Sequence, residues 1–382
     1  MAHDNDSTDD GRTRTDTLGR RRFIEATGAG AVMAGLAGCI PDGDTDGTPA
    51  PGDGTPTPTS GPNTPPPPEG SLTIGLLAPL SGPTGILGSG AARSAGMAAA
   101  EINNGEGVMG QEIEIVNADT QNNPGTAQSE AERLVNEEEV DALMGTFASE
   151  STQTILPFTA QEGIPLIVTG SAAPTTVTDF IGQDYERYKN FFRTGPINSI
   201  HQARGFAGYA DYLSARHDWN TFGFVADRAS WTTPYNETLV SLLEDGGYNV
   251  PYSERISIET DNYSPILNNV LDAEVDALFN FFAHQTAGAM YGEWAQRRLP
   301  FGIEGINVWS QMPSWFQQTQ GAAIFTTTSQ SGAGGAAPVT PRTLPFVEAY
   351  REQFGEAENP PRGHPMYMGF NTYDALHFYR QA

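Results

Sequence analysis

The sequence predicts an α/β protein with two similar lobes, each formed by a parallel β-sheet that helices cover on both faces. From Ser71 onward, short apolar runs typical of buried strands alternate with segments that have the apolar spacing of helices. This alternation indicates parallel sheets, because each step to the next parallel strand requires a crossover, usually a helix. A short extended segment, Phe191-Phe-Arg-Thr194, separates two such runs. We therefore expect a hinge near Arg193 and Thr194.

The predicted elements of each run are joined by short connections. The first run comprises strand Leu72 to Ala78, helix Ala91 to Asn103, strand Glu112 to Ala118, helix Pro124 to Glu138, strand Asp141 to Gly145, helix 150–162 and strand Pro165 to Val168. The second run comprises helix 199–215, strand 221–226, helix 234–245, strand 249–256, helix 263–271, strand 275–281, helix 284–298 and strand 305–309. A strand at Ala322 to Thr328 and helices at 342–354 and 366–382 follow. The last helix ends in mid-pattern, so we expect the natural chain to continue.

Two loops in the first run are candidates for ligand binding. Thr146 to Ser149 and Thr169 to Pro174 consist largely of small hydroxylated residues and glycine, and each follows a predicted strand. Open α/β sheets bind ligands at the carboxyl ends of their strands, and helix N-termini favour anions. Ser149 is also a good N-cap residue, and Gly163 is typical of a helix C-terminus. The sequence is therefore compatible with a ligand site and also with an ordinary capped helix.

The composition is strongly acidic. Asp and Glu total 46 against 20 Lys and Arg, the formal net charge is −26, and Lys189 is the only lysine. This balance disfavours nucleic acid as a partner, because nucleic-acid binding needs a basic surface. An acidic surface almost without lysine predicts a high-salt habitat, where salt screens the self-repulsion; a merely acidic mesophilic protein is the alternative. The single cysteine, Cys39, excludes an intrachain disulfide and a cysteine metal cluster.

The first 70 residues predict export and anchoring. Within residues 1–39, Arg20-Arg-Arg-Phe-Ile24 precedes an apolar run that is too short and glycine-rich to span a bilayer well, as in twin-arginine signal peptides. The run ends in Leu36-Ala-Gly-Cys39, which resembles the lipobox of exported lipoproteins. Lipidated Cys39 would anchor the protein to the outer face of the cytoplasmic membrane; a free thiol in an uncleaved anchor is the alternative. Residues 40–70, rich in Pro, Thr, Gly and Asp, predict a disordered tether.

Four motifs in register carry a resemblance to a known family. They are Ser81-Gly-Pro-Thr-Gly-Ile-Leu-Gly88, Glu101-Ile-Asn-Asn-Gly-Glu-Gly-Val-Met-Gly-Gln-Glu-Ile-Glu-Ile-Val116, Ser151-Thr-Gln153 and Tyr373-Asp-Ala-Leu376. Together they resemble the leucine/isoleucine/valine-type solute-binding proteins of ABC importers, from about Leu72 to Ala382.

The resemblance implies a type I periplasmic-binding-protein fold, with two doubly wound lobes that close on a ligand. The first lobe would contain 71–193 and 327–382, and the second 194–326, with a third crossing strand beyond Ala382. The implied partners are a small-molecule ligand and the permease and ATPase subunits of a transporter. No cofactor or metal and no chemistry on the ligand are implied.

The resemblance also implies roles for residues of the first lobe. Ser149 matches a serine whose hydroxyl and N–H hold the ligand carboxylate. Gly170 matches a residue whose carbonyl accepts from the ligand ammonium. Ala172 stands where a threonine hydroxyl usually helps to hold the carboxylate, and Ser171 is the candidate replacement. Gly170 and Ser171 are also compatible with a plain turn.

Three more positions match the family's site. Trp231 falls where an aromatic residue closes over the ligand, although a core position is also open. Gln311 falls near an acidic residue that pairs with the ammonium, and Leu87 falls where an aromatic residue flanks the site. An amino acid, branched-chain in type, is the leading ligand class, with amides, urea-like compounds and carboxylates as alternatives. Three residues at the end of a second-lobe strand fit the core as well as the site wall: Phe281, Phe282 and His284.

Motifs typical of enzymes are not supported. Gly105-Glu-Gly-Val-Met-Gly110 fits G-x-G-x-x-G, but it follows a helix and precedes a strand, which is the reverse of the dinucleotide-binding context. The six histidines are scattered without short ligand spacing. A ligand-sensing receptor domain of the same fold is an alternative function, and an exported α/β hydrolase is the least favoured.

Overall fold

The computed structural model describes residues 70–312, 314–329, 338–355 and 363–382. The predicted export signal, Cys39 and all of the predicted tether except Gly70 lie outside the described residues. Among the helices of the described part, none is both long enough and apolar enough to cross a membrane.

The helices and strands alternate along the described chain. Up to the predicted hinge they are β1 (Ser71–Ala78), α1 (Gly85–Asn103), β2 (Glu112–Asp119), α2 (Pro124–Asn136), β3 (Ala142–Gly145), α3 (Ser149–Glu162), β4 (Leu166–Val168), α4 (Tyr185–Tyr188) and β5 (Phe191–Arg193). Then come α5 (Ser199–His217), β6 (Thr221–Asp227), α6 (Val240–Asp245), β7 (Asn249–Ile256), α7 (Ser264–Asp272), β8 (Ala277–Phe282), α8 (Gly288–Arg297), β9 (Gly302–Asn307) and α9 (Trp315–Gln318). The chain ends with α10 (Thr343–Phe354) and α11 (Met366–Gln381).

The strands form two parallel sheets with the same winding. The first sheet has the order β2-β1-β3-β4-β5 and the second has the order β7-β6-β8-β9. In each sheet the chain first steps to one side of the opening strand and then to the other. The strand order therefore reverses beside β1 in the first lobe and beside β6 in the second. Ligands of open α/β sheets bind at this crevice, so the loops after β3, β6 and β8 are the natural place for a site.

The strands next to these crevices are buried on both faces. All residues of β3, β4 and β8 are buried, as expected for central strands of a parallel sheet with helices on both sides. The prediction of two parallel-sheet lobes is confirmed. The proposed chain boundaries of the lobes, at 193/194 and 326/327, stay a prediction.

Helix α11 packs against α1, which places the last described helix on the first lobe. The contact requires glycine on α1, because a Cβ atom at Gly90 would lie 2.5 Å from the carbonyl oxygen of Pro365. A Cβ atom at Gly88 would lie 2.0 Å from the carbonyl oxygen of Pro79. These glycines explain why the predicted start of the helix at Ala91 is wrong. The helix begins at Gly85, and its glycine-rich first turns lack the apolar spacing on which the prediction depended.

Two predicted strands near the end of the second lobe differ from the structure. The last strand of the sheet, β9, ends at Asn307, because the Asn307 side chain accepts a hydrogen bond from the Trp309 N–H at 3.0 Å and the backbone turns there. The predicted strand from Ala322 to Thr328 is wrong. Its first residues form a short helical turn, because the Thr319 hydroxyl accepts the Ala323 N–H at 3.1 Å. Thr326 alone forms a bridge, parallel to Ile303.

Candidate functional site

A small cavity lies between the two lobes at the carboxyl ends of the strands. From the first lobe and the segment after β5, it is lined by Phe147, Ser149, Gly170, Ala172, Pro196 and Tyr367. From the second lobe it is lined by Gln202, Trp231, Ala283, His284, Ile306 and Val308. Its volume is about 30 Å³, roughly the volume of one water molecule. A solute can therefore enter only when the lobes separate or the walls move.

A larger cavity lies beside it. Its volume is about 350 Å³, and it lies between α5 and the segment Thr327 to Ser329. It shares Gln202 and Ile306 with the interlobe cavity.

Ser149 is buried at the first turn of α3, and its hydroxyl faces the loop after β4. The predicted capping role is wrong, because Ala148 occupies the N-cap position and the Ser149 side chain makes no capping bond. Instead, Ser149 Oγ accepts from the Ala173 N–H at 3.1 Å and from the Ser171 hydroxyl at 3.0 Å. Two accepted bonds use both lone pairs. Within the described chain the hydroxyl proton has no acceptor, so it is available for a ligand oxygen.

The loop after β4 is held by groups from several elements. The Gly170 carbonyl accepts from the Tyr367 hydroxyl at 3.0 Å, so the oxygen expected to meet a ligand ammonium has a protein donor. Ala172 lines the cavity. Ser171 does not line it, and its hydroxyl donates to Ser149 instead. Ser171 therefore positions the Ser149 hydroxyl rather than facing the cavity.

A buried arginine lies directly behind this loop. Arg193 donates to the carbonyls of Ser171 at 2.7 Å, Ala173 at 3.2 Å and Pro196 at 3.0 Å, and to the Thr176 hydroxyl at 3.0 Å. Burial lowers the pKa of the guanidinium to about 10, so it is charged at neutral pH. All of its acceptors are neutral, and among the described residues it has no carboxylate partner. Its positive charge therefore lies directly behind the loop after β4, and no described carboxylate pairs with it.

Trp231 forms the second-lobe wall of the cavity. It lies in the turn Ser230–Thr232 after β6 and is 6% exposed. The ring packs edge to face on Tyr235, with centroids 5.7 Å apart, and Tyr235 stacks on Phe281. The indole N–H is buried and has no hydrogen-bond partner in the described part of the chain. A rigid aromatic wall therefore carries an unused donor.

His284, which the sequence left open between core and site wall, lies beside Asp227, a residue that the sequence analysis did not identify as part of the site. Asp227 ends β6 and is fully buried; its Oδ2 accepts from the N–H groups of Ala283 and His284, both at 2.7 Å. His284 lines the cavity, with Nδ1 3.4 Å from the same oxygen and its ring 5.1 Å from that of Phe147. The carboxylate fixes the loop after β8 and the orientation of the imidazole. The sequence offered one signal for this pair. An acidic residue ends β6, and a histidine follows β8, the strand that pairs with β6.

Gln311 and Leu87 do not line the cavity. Gln311 donates from Nε2 to the Val308 carbonyl at 3.0 Å, and its Oε1 accepts from the Tyr367 N–H at 2.6 Å. It thus connects the segment after β9 with the start of α11. Leu87 lies in the first turn of α1 and is fully buried in the core. Within the described residues, no group of acidic, histidine or cysteine side chains could hold a metal ion.

Two similarly wound parallel sheets with a cavity between their strand ends define a bilobed α/β binding protein. The family model for periplasmic binding proteins matches residues 71–382. The chain therefore belongs to this family, as the motifs of the first lobe predicted.

Individual relatives agree with this assignment. The chain is 26% identical over 320 residues to the Leu/Ile/Val-binding protein homolog 7 of Brucella suis, covering 79% of this chain and 76% of that protein. The leucine-binding protein LivK of Thermotoga maritima has a similar structure, with a TM-score of 0.67 and 18% identity over 81% of this chain and 82% of that one. A solute-binding protein of an ABC transporter from Rhodopseudomonas palustris, solved with 3,4-dihydroxybenzoic acid, also has a similar structure. Its TM-score is 0.67 and its identity 18%, and the match covers 81% of this chain and 80% of that one.

Proposed function

We propose that this protein captures a small polar solute between its two lobes and delivers it to the permease of an ABC importer. The family membership, the interlobe cavity and the relatives named as binding or transport proteins support this function. The ligand leaves unchanged, since the role consists of closure around the solute and release to the permease and its ATPase subunits.

Ser149 provides the strongest support from the site itself. Its hydroxyl is fixed by two donors and keeps its proton for a ligand oxygen. It also lies at the N-terminus of α3, a helix of 14 residues, whose dipole favours negative charge. We infer that this end of the cavity holds a carboxylate, with Ala172 and Gly170 as neighbours and Trp231 closing from the second lobe.

The ligand class follows only in part from the relatives. One is named for leucine, isoleucine and valine, and one was solved with an aromatic acid. Both kinds of compound carry a carboxylate, so either fits a donor at Ser149. Amino acids are the starting class, and amides, urea-like compounds and other carboxylates are alternatives for the same cavity.

We also propose that the protein works outside the cytoplasmic membrane, tethered through lipidated Cys39. The twin arginines, the lipobox-like segment and the polar stretch up to residue 70 support this location. Replacing Cys39 by alanine should release the exported protein from the membrane fraction. Retention of the variant in membranes would contradict the lipid anchor.

Binding and closure can be tested together. The protein without its first 70 residues, kept in molar salt, is screened by thermal shift against amino acids, aromatic acids, other small carboxylates, amides and urea. Compounds that bind the native state raise the melting temperature. Each compound that does so is then added during small-angle X-ray scattering, where we expect the radius of gyration to fall. Binding without compaction would contradict closure, and the absence of any binding would contradict the proposed function.

A further inference from the structure

The backbone of loop 170–173, which follows β4, has its carbonyls occupied and two of its N–H groups unused. All four carbonyls accept from protein donors, which are Tyr367 for Gly170, Arg193 for Ser171, Ser199 for Ala172 and Arg193 for Ala173. Gly170 and Ala172 line the interlobe cavity, and neither of their N–H groups has an acceptor in the described part of the chain. The loop therefore offers a ligand the positive ends of two peptide dipoles, while its carbonyls are already bonded.

Arg193 holds this loop without lining the cavity itself. Its terminal nitrogens donate to the carbonyls of Ser171 at 2.7 Å and Ala173 at 3.2 Å. They also donate at 3.0 Å to the carbonyl of Pro196, a residue that lines the cavity. Burial lowers the pKa of the guanidinium, and no described carboxylate offsets that effect. Arg193 is therefore a partly buried cation whose carbonyl partners lie in the wall of the site or directly beside it.

Two described carboxylates beside the site do not neutralise this charge. Glu150, in the first turn of α3, accepts from the N–H and hydroxyl of Ser230. Asp227, at the end of β6, accepts from two backbone N–H groups of the loop after β8. Neither bonds to Arg193, whose described acceptors are all neutral. Its positive charge is therefore available to an anion bound against loop 170–173.

We propose that Arg193 determines the preference of the interlobe site for a carboxylate over a neutral amide of the same shape. It is a positioning residue, because it holds the carbonyls of loop 170–173 and adds a positive charge behind them without touching the ligand. This inference rests on the proposed function, because it assumes that the interlobe cavity holds the solute. It distinguishes two ligand classes that are both open for this site, carboxylates and amides.

Two acid–amide pairs measure this preference by calorimetry in molar salt, where distant surface charges are screened. The pairs are leucine with leucinamide and benzoate with benzamide, and the members of each differ at the carboxyl group alone. Two unit charges about 10 Å apart at an effective dielectric constant of about 20 change an equilibrium constant by about tenfold. In the natural protein we therefore expect the acid of at least one pair to bind about tenfold more tightly than its amide.

The substitution Thr176→Asp neutralises Arg193 without removing it. The Thr176 hydroxyl accepts from the guanidinium at 3.0 Å, so a carboxylate at this position can pair with it. Thr176→Asn is the matched control, because asparagine has the size of aspartate and no charge. The acid–amide preference should be about tenfold smaller in Thr176→Asp than in Thr176→Asn. Equal preferences in the two variants would overturn the role of the Arg193 charge.

A second pair of variants decides the question if Thr176→Asp does not fold. Arg193→Lys keeps the charge but loses the planar fork, whereas Arg193→Gln keeps an amide donor and loses the charge. Disorder of the loop should weaken the acid and its amide equally, whereas loss of the charge should weaken the acid alone. We expect Arg193→Lys to retain most of the preference and Arg193→Gln to lose it. The same preference in both variants would mean that Arg193 acts through packing alone, and would overturn the inference.

Results with the natural protein separate this inference from the function beneath it. An amide that binds as tightly as its acid would overturn the inference, while solute binding would stand. Binding of amides or urea-like compounds without any acid would have the same meaning. If another acid from the screen binds where these four probes do not, it is compared with its own amide in the same variants. If no solute binds or compacts the protein, both proposals are overturned.

Discussion

The contact between Glu150 and Ser230 should stabilise the closed arrangement of the lobes. Glu150 lies in the first turn of α3 and Ser230 in the turn after β6, so the bond joins the two lobes. One carboxylate oxygen accepts the Ser230 N–H and hydroxyl, both at 2.6 Å. Burial opposes ionisation, but these two bonds and the nearby His284 hold the pKa of Glu150 below its usual value of 4.5.

The substitution Glu150→Gln keeps the shape and an acceptor oxygen but removes the charge. Hydrogen bonds to charged groups are worth about 1.5–3 kcal/mol, against about 0.5–1.5 kcal/mol for neutral pairs. Glu150 is half-buried, so we take the lower end and expect the closed state to lose about 1 kcal/mol. Because the bond joins the two lobes, ligand affinity should fall about fivefold with little change in the unfolding free energy of the separate lobes.

Calorimetry with a ligand from the screen measures this loss, and scattering without ligand measures the open fraction. Glu162→Gln is the control, since Glu162 is exposed at the other end of α3. The contribution of the ionised Glu150 to the closed state is fully present above the usual pKa of a glutamate. It is lost as the pH falls through the lowered pKa of Glu150. Affinity of the natural protein should therefore decline below about pH 4.5, and that decline should be weaker in Glu150→Gln. Equal affinities for the natural protein and the variant would refute the contact as a closing interaction.

Three further predictions concern the site, the core and the solvent. Ser149→Ala should weaken carboxylate binding by about 1–3 kcal/mol by calorimetry, since it removes the donor; Ser129→Ala, on the exposed face of α2, should not. Gly90→Ala should lower the free energy of unfolding in urea by about 1–3 kcal/mol through the clash with Pro365. Gly96→Ala, in open space on the same helix, should instead raise it by about 0.5–1 kcal/mol; destabilisation of equal size in both would contradict the close packing of α11. Dilution from about 2 M to about 0.1 M salt should lower the melting temperature, because charge screening weakens; a salt-independent melting temperature would contradict the high-salt habitat.

The sheets were predictable because their central strands are continuous apolar runs. In the structure these runs form β1, β3, β6 and β8, in which β3 and β8 are buried throughout and β1 and β6 are buried except at their first residues. The start of α1 was not predictable from spacing, because Gly90 lies against the backbone of Pro365, far along the chain, and Gly88 against that of Pro79. The apolar spacing within a helix does not reveal a contact with a residue so distant in the sequence.

The site was predictable in location and less so in detail. Ser149 and Trp231 line the cavity, and their contacts with a ligand stay a prediction. The orientation of the Ser149 hydroxyl depends on Ala173 and Ser171 across a loop, and the Arg193 charge depends on a turn formed around it. The role of Asp227 depends on the pairing of β6 with β8. These relations follow from tertiary contacts, which periodicity and composition do not encode.

The packing of α11 on α1 has a consequence for the order in which the chain can fold. The strands of the second sheet, β6 to β9, are consecutive in the chain, so this sheet can form as soon as β9 has left the ribosome. The first lobe needs a helix that is synthesised after all of β6 to β9, and Tyr367 on that helix reaches Gly170 only then. Contacts of such long sequence separation form slowly. We therefore expect the second lobe to become protease-resistant first during refolding, and the solute cleft to be completed last, when the returning helix docks on α1.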